Sequence, residues 1–400
     1  MNRKPPNPLL ACALLAWALA ARAAELPVAV PADGEPFGGQ FAGSDSAWNL
    51  RFADGDTHRD IPAADLATWG AFVEPTRGIH IVLAGGGVIV ADSVRIEKEH
   101  IAGTSPTFGN LSLPIEIVAG IIFRPPLETA AGDKLLARVL NPGGRSDRLL
   151  LDNGDELTGT ITAIKDNRVV LQTDADPWEV KIDTLLAIMF NPTLFDNPRA
   201  SGLRAVVGFR EGDRVTAIEL TTDGEATRLK LAGGIELSAP TASIVALQVF
   251  GGRVVYLSDL KPAGYRHIPY LQLSWPYRTD RSVLGVRLRA AGRVFLKGLG
   301  MHSPSRLTYD LLQPYRRFDA QLAIDDDAGG RGSVVFRIFV DDGSGAWQQR
   351  AASEVVRGGQ PPVPISVDLD GVKRISLLVD FADRGDELDH ADWLDARLAR

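Results

Sequence analysis

Between Ala47 and Phe250 the chain cycles through short segments stopped by Gly, Asn or Asp. Within each segment apolar and polar residues alternate, so successive side chains point to opposite faces, which is strand chemistry. The fullest copy opens Leu149-Leu150-Leu151-Asp152-Asn153-Gly154-Asp155-Glu156-Leu157-Thr158-Gly159. It continues through Val169-Val170-Leu171 and Val180-Lys181-Ile182 and closes at Leu186-Ala187-Ile188-Met189-Phe190. A second copy runs from Ile81-Val82-Leu83 to Ile121-Ile122-Phe123, and a third from Val206-Val207-Gly208-Phe209 to Leu247-Gln248-Val249-Phe250. Leu50-Arg51-Phe52-Ala53-Asp54-Gly55 starts a further, partial one. Asn153-Gly154 and Asp54-Gly55 suit tight turns that need positive φ. Several short strands in so few residues can leave few free edges only by curling into a small closed or half-closed barrel. The expected organisation is a partial repeat at 24–78, barrel-like repeats at 79–126, 148–192 and 202–252, and a helical linker at 127–147. Lys134 to Leu140 is the predicted helix, ended by Asn141-Pro142-Gly143-Gly144.

The repeats resemble Sm-like or SH3-like small barrels in architecture. They carry no basic stripe with interleaved aromatics, and 43 basic residues against 50 acidic ones give no general pull toward nucleic acid. The expected role is packing or contact with a protein partner. The first residues read as a secretory signal: Arg3 and Lys4, an apolar run from Leu9 to Ala21, and an Ala21-Arg22-Ala23 cleavage site, so 1–23 is expected to be removed. Leu9-Leu10-Ala11-Cys12 is similar to a lipobox, but the apolar run lies mostly after Cys12, the wrong order for a lipoprotein. Cys12 is the only cysteine, so a chain cleaved at Ala23 has no disulfide, thiol chemistry or Cys-based zinc site. No later stretch is long and apolar enough for an integral membrane segment. The expected location is secreted, periplasmic or cell-envelope.

From Val294 onward the pattern changes to longer strands: Leu307 to Leu311, Arg317 to Ile324, Val334 to Val340, Val363 to Leu369, Ile375 to Phe381 and His390 to Leu398. Turns rich in Gly, Pro and Asp separate them, as in an antiparallel sandwich of jelly-roll type. The fold class expected for the whole chain is therefore all-β. This last third also carries Gly298-Leu299-Gly300-Met301-His302-Ser303-Pro304-Ser305, then Ala323-Ile324-Asp325-Asp326-Asp327, then Asp389-His390-Ala391-Asp392-Trp393-Leu394-Asp395-Ala396-Arg397-Leu398. Taken in that order, these stretches resemble the NPCBM family of carbohydrate-binding modules, across 254–400. The resemblance implies a galactose-binding-like jelly roll that binds a glycan and does no catalysis. Asp341-Asp342-Gly343-Ser344-Gly345 is longer than the family's usual Asp-Gly turn, which puts the geometry near Trp347 in question.

Sugars present C–H patches to aromatic faces and hydroxyls to carboxylates and imidazoles. Loops at one end of a sandwich gather such groups. The candidate ligand-binding residues are His302, Asp325, Asp326, Asp389, His390 and Trp393, with Trp347 as an outside choice. Against these stand plain structural roles: Trp393 as core, Asp389-His390 as a pair that fixes an imidazole tautomer, and Asp325-Asp326-Asp327 as an Asx turn. That acidic turn before Gly329-Gly330 would also admit a structural Ca²⁺; no catalytic residue, other metal or cofactor is expected. The sequence shows no G-x-S-x-G, H-E-x-x-H or P-loop pattern and no strand–helix alternation of a hydrolase barrel. The leading reading is an exported, non-catalytic binder of a neutral, galactose-type glycan. The alternatives are an envelope interaction protein without sugar binding and an accessory part of a glycoside hydrolase system.

Overall fold

The computed structural model describes residues 26–174, 176–195, 200–269 and 272–400. The signal-type segment 1–23 lies outside the described residues. The chain is nearly all β, with one α-helix among the described residues, Thr129–Leu140.

The first two thirds form four repeats, at 28–70, 79–122, 147–189 and 204–250. In each, a single turn of 3-10 helix leads into the last strand: Ala63–Asp65 before Leu66–Gly70, Ile115–Ile117 before Val118–Ile122, Ile182–Thr184 before Leu185–Met189, and Thr241–Ser243 before Ile244–Phe250. Pro62, Pro114 and Pro240 precede three of these turns, each at ψ near 130°, where a fixed φ and a missing N–H suit the entry to a helical turn. The second strand is long and bulged in the last two repeats, Glu156–Lys165 and Arg214–Asp223. In the first two it is broken in two, into Phe37–Gly38 and Gln40–Ser44, and into Val88–Ala91 and Ser93–Glu97. A bulge or break bends the strand so that a small sheet can curl onto itself.

The first repeat is more complete than its sequence suggests. Its strand Thr57–Pro62 pairs with Asn49–Asp54 from Asp54↔Thr57 to Asn49↔Pro62. Thr57, His58, Arg59 and Asp60 are all exposed, so the strand has no apolar alternation to detect.

Last strands join the repeats. Val118–Ile122 pairs with Leu185–Met189, and Ile244–Phe250 with Leu66–Gly70. Arg214 pairs with Val88, which links the fourth repeat to the second. One sheet therefore runs through all four repeats, in the order third, second, fourth, first, above a shared core that includes Trp69, Ile81, Ile121, Leu149, Ile188, Val207, Phe209 and Leu247. Pairing their end strands satisfies edges that would otherwise be open. At one such join Gly70 has φ +69°, and a Cβ there would lie 2.0 Å from the Val245 carbonyl oxygen, so only glycine lets the strands meet.

The helix starts at Thr129, five residues before the predicted segment. Glu128 caps it, accepting from the Ala130 and Ala131 backbone N–H groups at 3.1 and 2.8 Å, and this cap holds a first turn that contains Gly132. Leu135 and Val139 pack with Val82, Ala119 and Met189 of the second and third repeats.

The last third is a sandwich of two antiparallel sheets. The first has the order Arg278–Thr279, Gly298–His302, His390–Ala399, Arg317–Ile324, Val363–Asp368, with Val254–Tyr256 also on His390–Ala399. The second runs Gly264–His267, Ser305–Asp310, Arg374–Phe381, Ser333–Asp341, Gln348–Ala352. Leu299, Met301, Leu307, Phe318, Phe336, Leu377 and Trp393 fill the space between them. Strand His390–Ala399 is buried throughout, and its alternation reverses part-way. Ala391 and Trp393 face the core, and so do Ala396 and Leu398. Asp395, at φ +47°, lies at a bulge opposite the Asp319/Gln321 step, and this extra residue changes which positions face inward.

The sandwich packs on the repeats. Gln248 Nε2 donates to Asp395 Oδ1 at 3.1 Å, the Arg253 N–H donates to the Ala64 carbonyl at 2.8 Å, and Phe72 bridges to Val294. An ion cluster completes the junction. Asp133, on the helix, accepts from Arg287 Nε at 2.5 Å and from Arg289 Nη1 at 2.6 Å. Glu74 accepts from Arg289 Nε and Nη2 at 3.0 and 2.9 Å and also pairs with Arg287.

Candidate functional site

His302 and His390 stand directly opposite each other in antiparallel register, at one end of the first sheet. Their neighbours Met301 and Ala391 face the core, so strand alternation puts both imidazoles on the other face. The ring centroids are 5.9 Å apart. Gly300, between Leu299 and Met301, allows the segment around Arg281 to lie across that face, since a Cβ there would sit 2.4 Å from the Arg281 carbonyl oxygen.

A carbonyl oxygen can only accept, so the Ser303 carbonyl fixes the tautomers around it. His302 Nδ1 donates to it at 2.9 Å and His267 Nε2 at 3.3 Å. His267 Nδ1 then accepts the Trp275 backbone N–H at 3.2 Å. The Trp275 carbonyl in turn accepts from the Tyr265 hydroxyl at 2.7 Å. Held at both backbone ends, the half-buried Trp275 lays its ring flat on His302, with centroids 4.8 Å apart and planes 6° from parallel. On the second imidazole, His390 Nδ1 lies 2.5 Å from Asp327 Oδ1, and Asp327 Oδ2 accepts from the Ser282 hydroxyl at 2.7 Å. Each of His302 and His390 thus spends Nδ1 on the protein and leaves Nε2 unengaged by any described residue. Burial lowers the His302 pKa, against the Ser303 carbonyl, which raises it; the imidazole is neutral at pH 7 and offers its Nε2 lone pair.

Asp389 supports this end. Its carboxylate accepts from the Ser303 hydroxyl at 2.5 Å and the Ser333 N–H at 2.8 Å, tying two loops together. Burial pushes its pKa up to about 6, against the two hydrogen bonds that lower it. Asp389 is buried, not on the surface beside the two imidazoles.

The other expected ligand groups lie elsewhere. Trp393 is in the core, edge-on to Phe336 at 4.9 Å and to Phe318 at 6.2 Å, so its face cannot stack on a sugar. Asp325 is buried, accepting from the Arg289 and Asp327 N–H groups, both at 2.9 Å. Asp326 accepts from the Ala291 and Gly292 N–H groups at 2.9 and 2.8 Å. The Asp325-Asp326-Asp327 carboxylates are thus committed to a turn, to Ser282 and to His390, and among the described residues no group of acidic, His or Cys side chains is arranged to hold a metal ion. Trp347 lies outside the site, between the guanidinium groups of Arg306 and Arg374 at 4.5 and 5.0 Å. Trp275 and His267 are the residues that sequence reasoning missed. The signal for Trp275 was an aromatic beside a proline in an irregular stretch, Leu273-Ser274-Trp275-Pro276-Tyr277, just before a site strand.

Residues 253–399 match the NPCBM/NEW2 domain. This part of the chain is an NPCBM domain. Over 122 residues, 30% of this chain, the sequence is 31% identical to alpha-1,3-galactosidase B of Akkermansia muciniphila. The matched stretch spans 15% of that relative's length. Among solved structures, the chain is similar to the CBM51-2 and INT domains of Clostridium perfringens ZmpB, in complex with GlcNAc. Identity is 28%, over 44% of this chain and 36% of the other, with a TM-score of 0.33. It is also similar to the CBM51 of Clostridium perfringens GH95 in complex with methyl-galactose. There identity is 23%, over 36% of this chain and 99% of that one, with a TM-score of 0.32. Among the described residues no helix is long and apolar enough to cross a membrane.

Proposed function

We propose that the protein is an exported glycan-binding protein. Its NPCBM domain takes a neutral, galactose-type sugar at the end of the sandwich where His302, His390 and Trp275 meet, and it performs no catalysis there. The observation that carries this reading is the paired imidazoles. Neither Nε2 atom has a partner among the described residues, and both lie on one face beside a tryptophan held by its own backbone. The neutral His302 imidazole offers an acceptor to a sugar hydroxyl, and an aromatic wall suits the C–H face of a pyranose. The NPCBM match supports the glycan class, and the basic-then-apolar N-terminus with its Ala21-Arg22-Ala23 site supports export.

A single small sugar held this way should bind with Kd of about millimolar to micromolar. The test is a glycan array followed by calorimetry on the whole chain, with Trp275→Ala and His302→Ala beside the parent. Each variant should lose about tenfold or more in affinity at an unchanged melting temperature. Two folded variants that bind the array's best glycan as well as the parent would place the site elsewhere. Mass spectrometry of exported protein should find Ala24 at the N-terminus; an intact Met1 would refute export by cleavage.

A further inference from the structure

A cavity of about 240 Å³ lies where the second repeat, the fourth repeat, the helix and the NPCBM domain converge. Its polar wall includes Arg214, Arg287, Glu74 and His80; its apolar wall includes Pro125, Pro126 and Leu136. Arg214 stands at the start of a strand whose position is fixed on both sides. The preceding residue, Asp213, is buried and accepts from the Val90 N–H at 2.7 Å and the Thr107 hydroxyl at 2.5 Å. Arg214 itself pairs across the sheet with Val88. Its guanidinium makes no hydrogen bond or ion pair among the described residues.

The charges around it do not balance. Glu74 and Asp133 are both engaged by Arg287 and Arg289, so three guanidinium groups face two carboxylates. Arg281 adds a further positive field at Arg214. Burial, and Arg287 beside it, pull the Arg214 pKa down to about 10, so the site disfavours the cation it holds. His80, in the same wall, is buried with its Nε2 unpartnered.

We propose that this cavity binds a small organic carboxylate with an apolar body, its carboxylate against the Arg214 fork and its body against Pro125, Pro126 and Leu136. Arg287 is paired with Glu74, so Arg214 is the cavity-lining guanidinium left without a carboxylate partner among the described residues, which matches a monoanion. The planar guanidinium fork matches a carboxylate, and the apolar wall disfavours a strongly hydrated dianion such as phosphate. The volume is below the usual range for drug-sized ligands, which limits the body to about the size of benzoate or hexanoate.

Calorimetry on the full chain tests this with benzoate and hexanoate, their neutral counterparts benzyl alcohol and hexanol, and glucuronate as a polar carboxylate. At least one of benzoate and hexanoate should bind saturably, with Kd of about millimolar or tighter. Arg214→Met, which keeps the aliphatic stem and removes the charge, should weaken it about tenfold or more. Arg214→Gln is the second variant should the first unfold, and Trp275→Ala should bind the carboxylate like the parent. Equal binding by the alcohols, equal binding by a folded Arg214 variant, saturation by glucuronate alone, or saturation by no probe would each overturn the proposal.

Discussion

Asp133 at the junction and Asp389 in the sandwich are both buried carboxylates, yet the two regions treat them in opposite ways. Burial alone would raise the Asp133 pKa, but the Arg289 and Arg287 guanidinium groups outweigh it and hold the carboxyl at about 2. Asp389 has only neutral partners, Ser303 and Ser333, so burial wins and the pKa rises to about 6. The Asp325–Asp392 pair goes further in the same direction. Asp392 is fully buried, and burial together with the neighbouring Asp325 pushes its pKa well above the carboxylate range. Burial raises the Asp325 pKa as well, to about 6. Charge joins the two regions, whereas hydrogen bonds to neutral groups shape the loops within one of them. The Asp133 cluster needs an ionised carboxylate, whereas Asp389 and Asp392 sit where burial favours the protonated form.

The largest effect should come from breaking the ionised side. In Asp133→Ala, Arg287 and Arg289 keep only Glu74, and a buried guanidinium loses its partner. Removing one member of a buried ion cluster typically costs about 3–5 kcal/mol. Urea denaturation of the whole chain should show that loss, either as one shifted transition or as two transitions in which the repeats and the NPCBM domain separate. A cost below about 1 kcal/mol, the level of an exposed pair, would mean that the cluster does not hold the regions together.

The opposite behaviour of the sandwich should appear as pH dependence. For Asp389 the folded pKa of about 6 lies above the ordinary value of 3.8, so the folded state binds the proton more tightly than the unfolded state. Its ionisation therefore opposes folding above about pH 6, and that cost is relieved as pH falls from about 6 toward 4. Asp133 has the reverse sign. Its stabilisation is complete above about pH 4 and is lost as pH falls through about 2. The NPCBM domain should thus gain stability between pH 7 and 5, while the junction weakens only below pH 4. The shift at Asp389 corresponds to about 1–3 kcal/mol. Asp389→Asn, which keeps the acceptor for the Ser333 N–H, should flatten the gain between pH 7 and 5 by that share. An unchanged slope in the variant would show that Asp389 is not the titrating group.

Most of the architecture was legible because it is written in local patterns. The all-β class and the sandwich follow from alternation and turn residues, and strand Arg317–Ile324 falls where alternation alone places it. The reversal within His390–Ala399 is visible only afterwards, as Ala391 and Trp393 giving way to Ala396 and Leu398. His302 stands out in the sequence because Gly298 and Gly300 allow close backbone approach, and His390 because it follows Asp389 beside a loop rich in Gly and Asp. Trp393 reads either as a sugar-facing aromatic or as core, because a tryptophan on the last strand cannot be told from a surface one until its register is known. Trp275 could not be placed from sequence, because its position depends on His267 and Tyr265, and those contacts are tertiary. The junction cluster was invisible for the same reason: Glu74, Asp133, Arg287 and Arg289 are far apart in the chain, and none has a pattern of its own.

The smallest effect concerns the helix that carries Asp133. Glu128 satisfies two N–H groups of its first turn, and Asp133 lies within the next turn. Losing a side-chain cap typically costs about 1 kcal/mol, because the orphan donors return to water and the first turn frays. Glu128→Ala should therefore destabilise the whole chain by about 1 kcal/mol and speed hydrogen exchange at Ala130 and Ala131. Exchange in the sandwich strands Arg317–Ile324 and Arg374–Phe381 should not change. Fraying that stops before Asp133 leaves the ion cluster intact, so the Glu128→Ala and Asp133→Ala costs should add within about 0.5 kcal/mol in the double variant. If the double variant instead loses no more than Asp133→Ala alone, the cap acts only through the ion cluster. Helix and cluster would then be one cooperative element joining the repeats to the NPCBM domain.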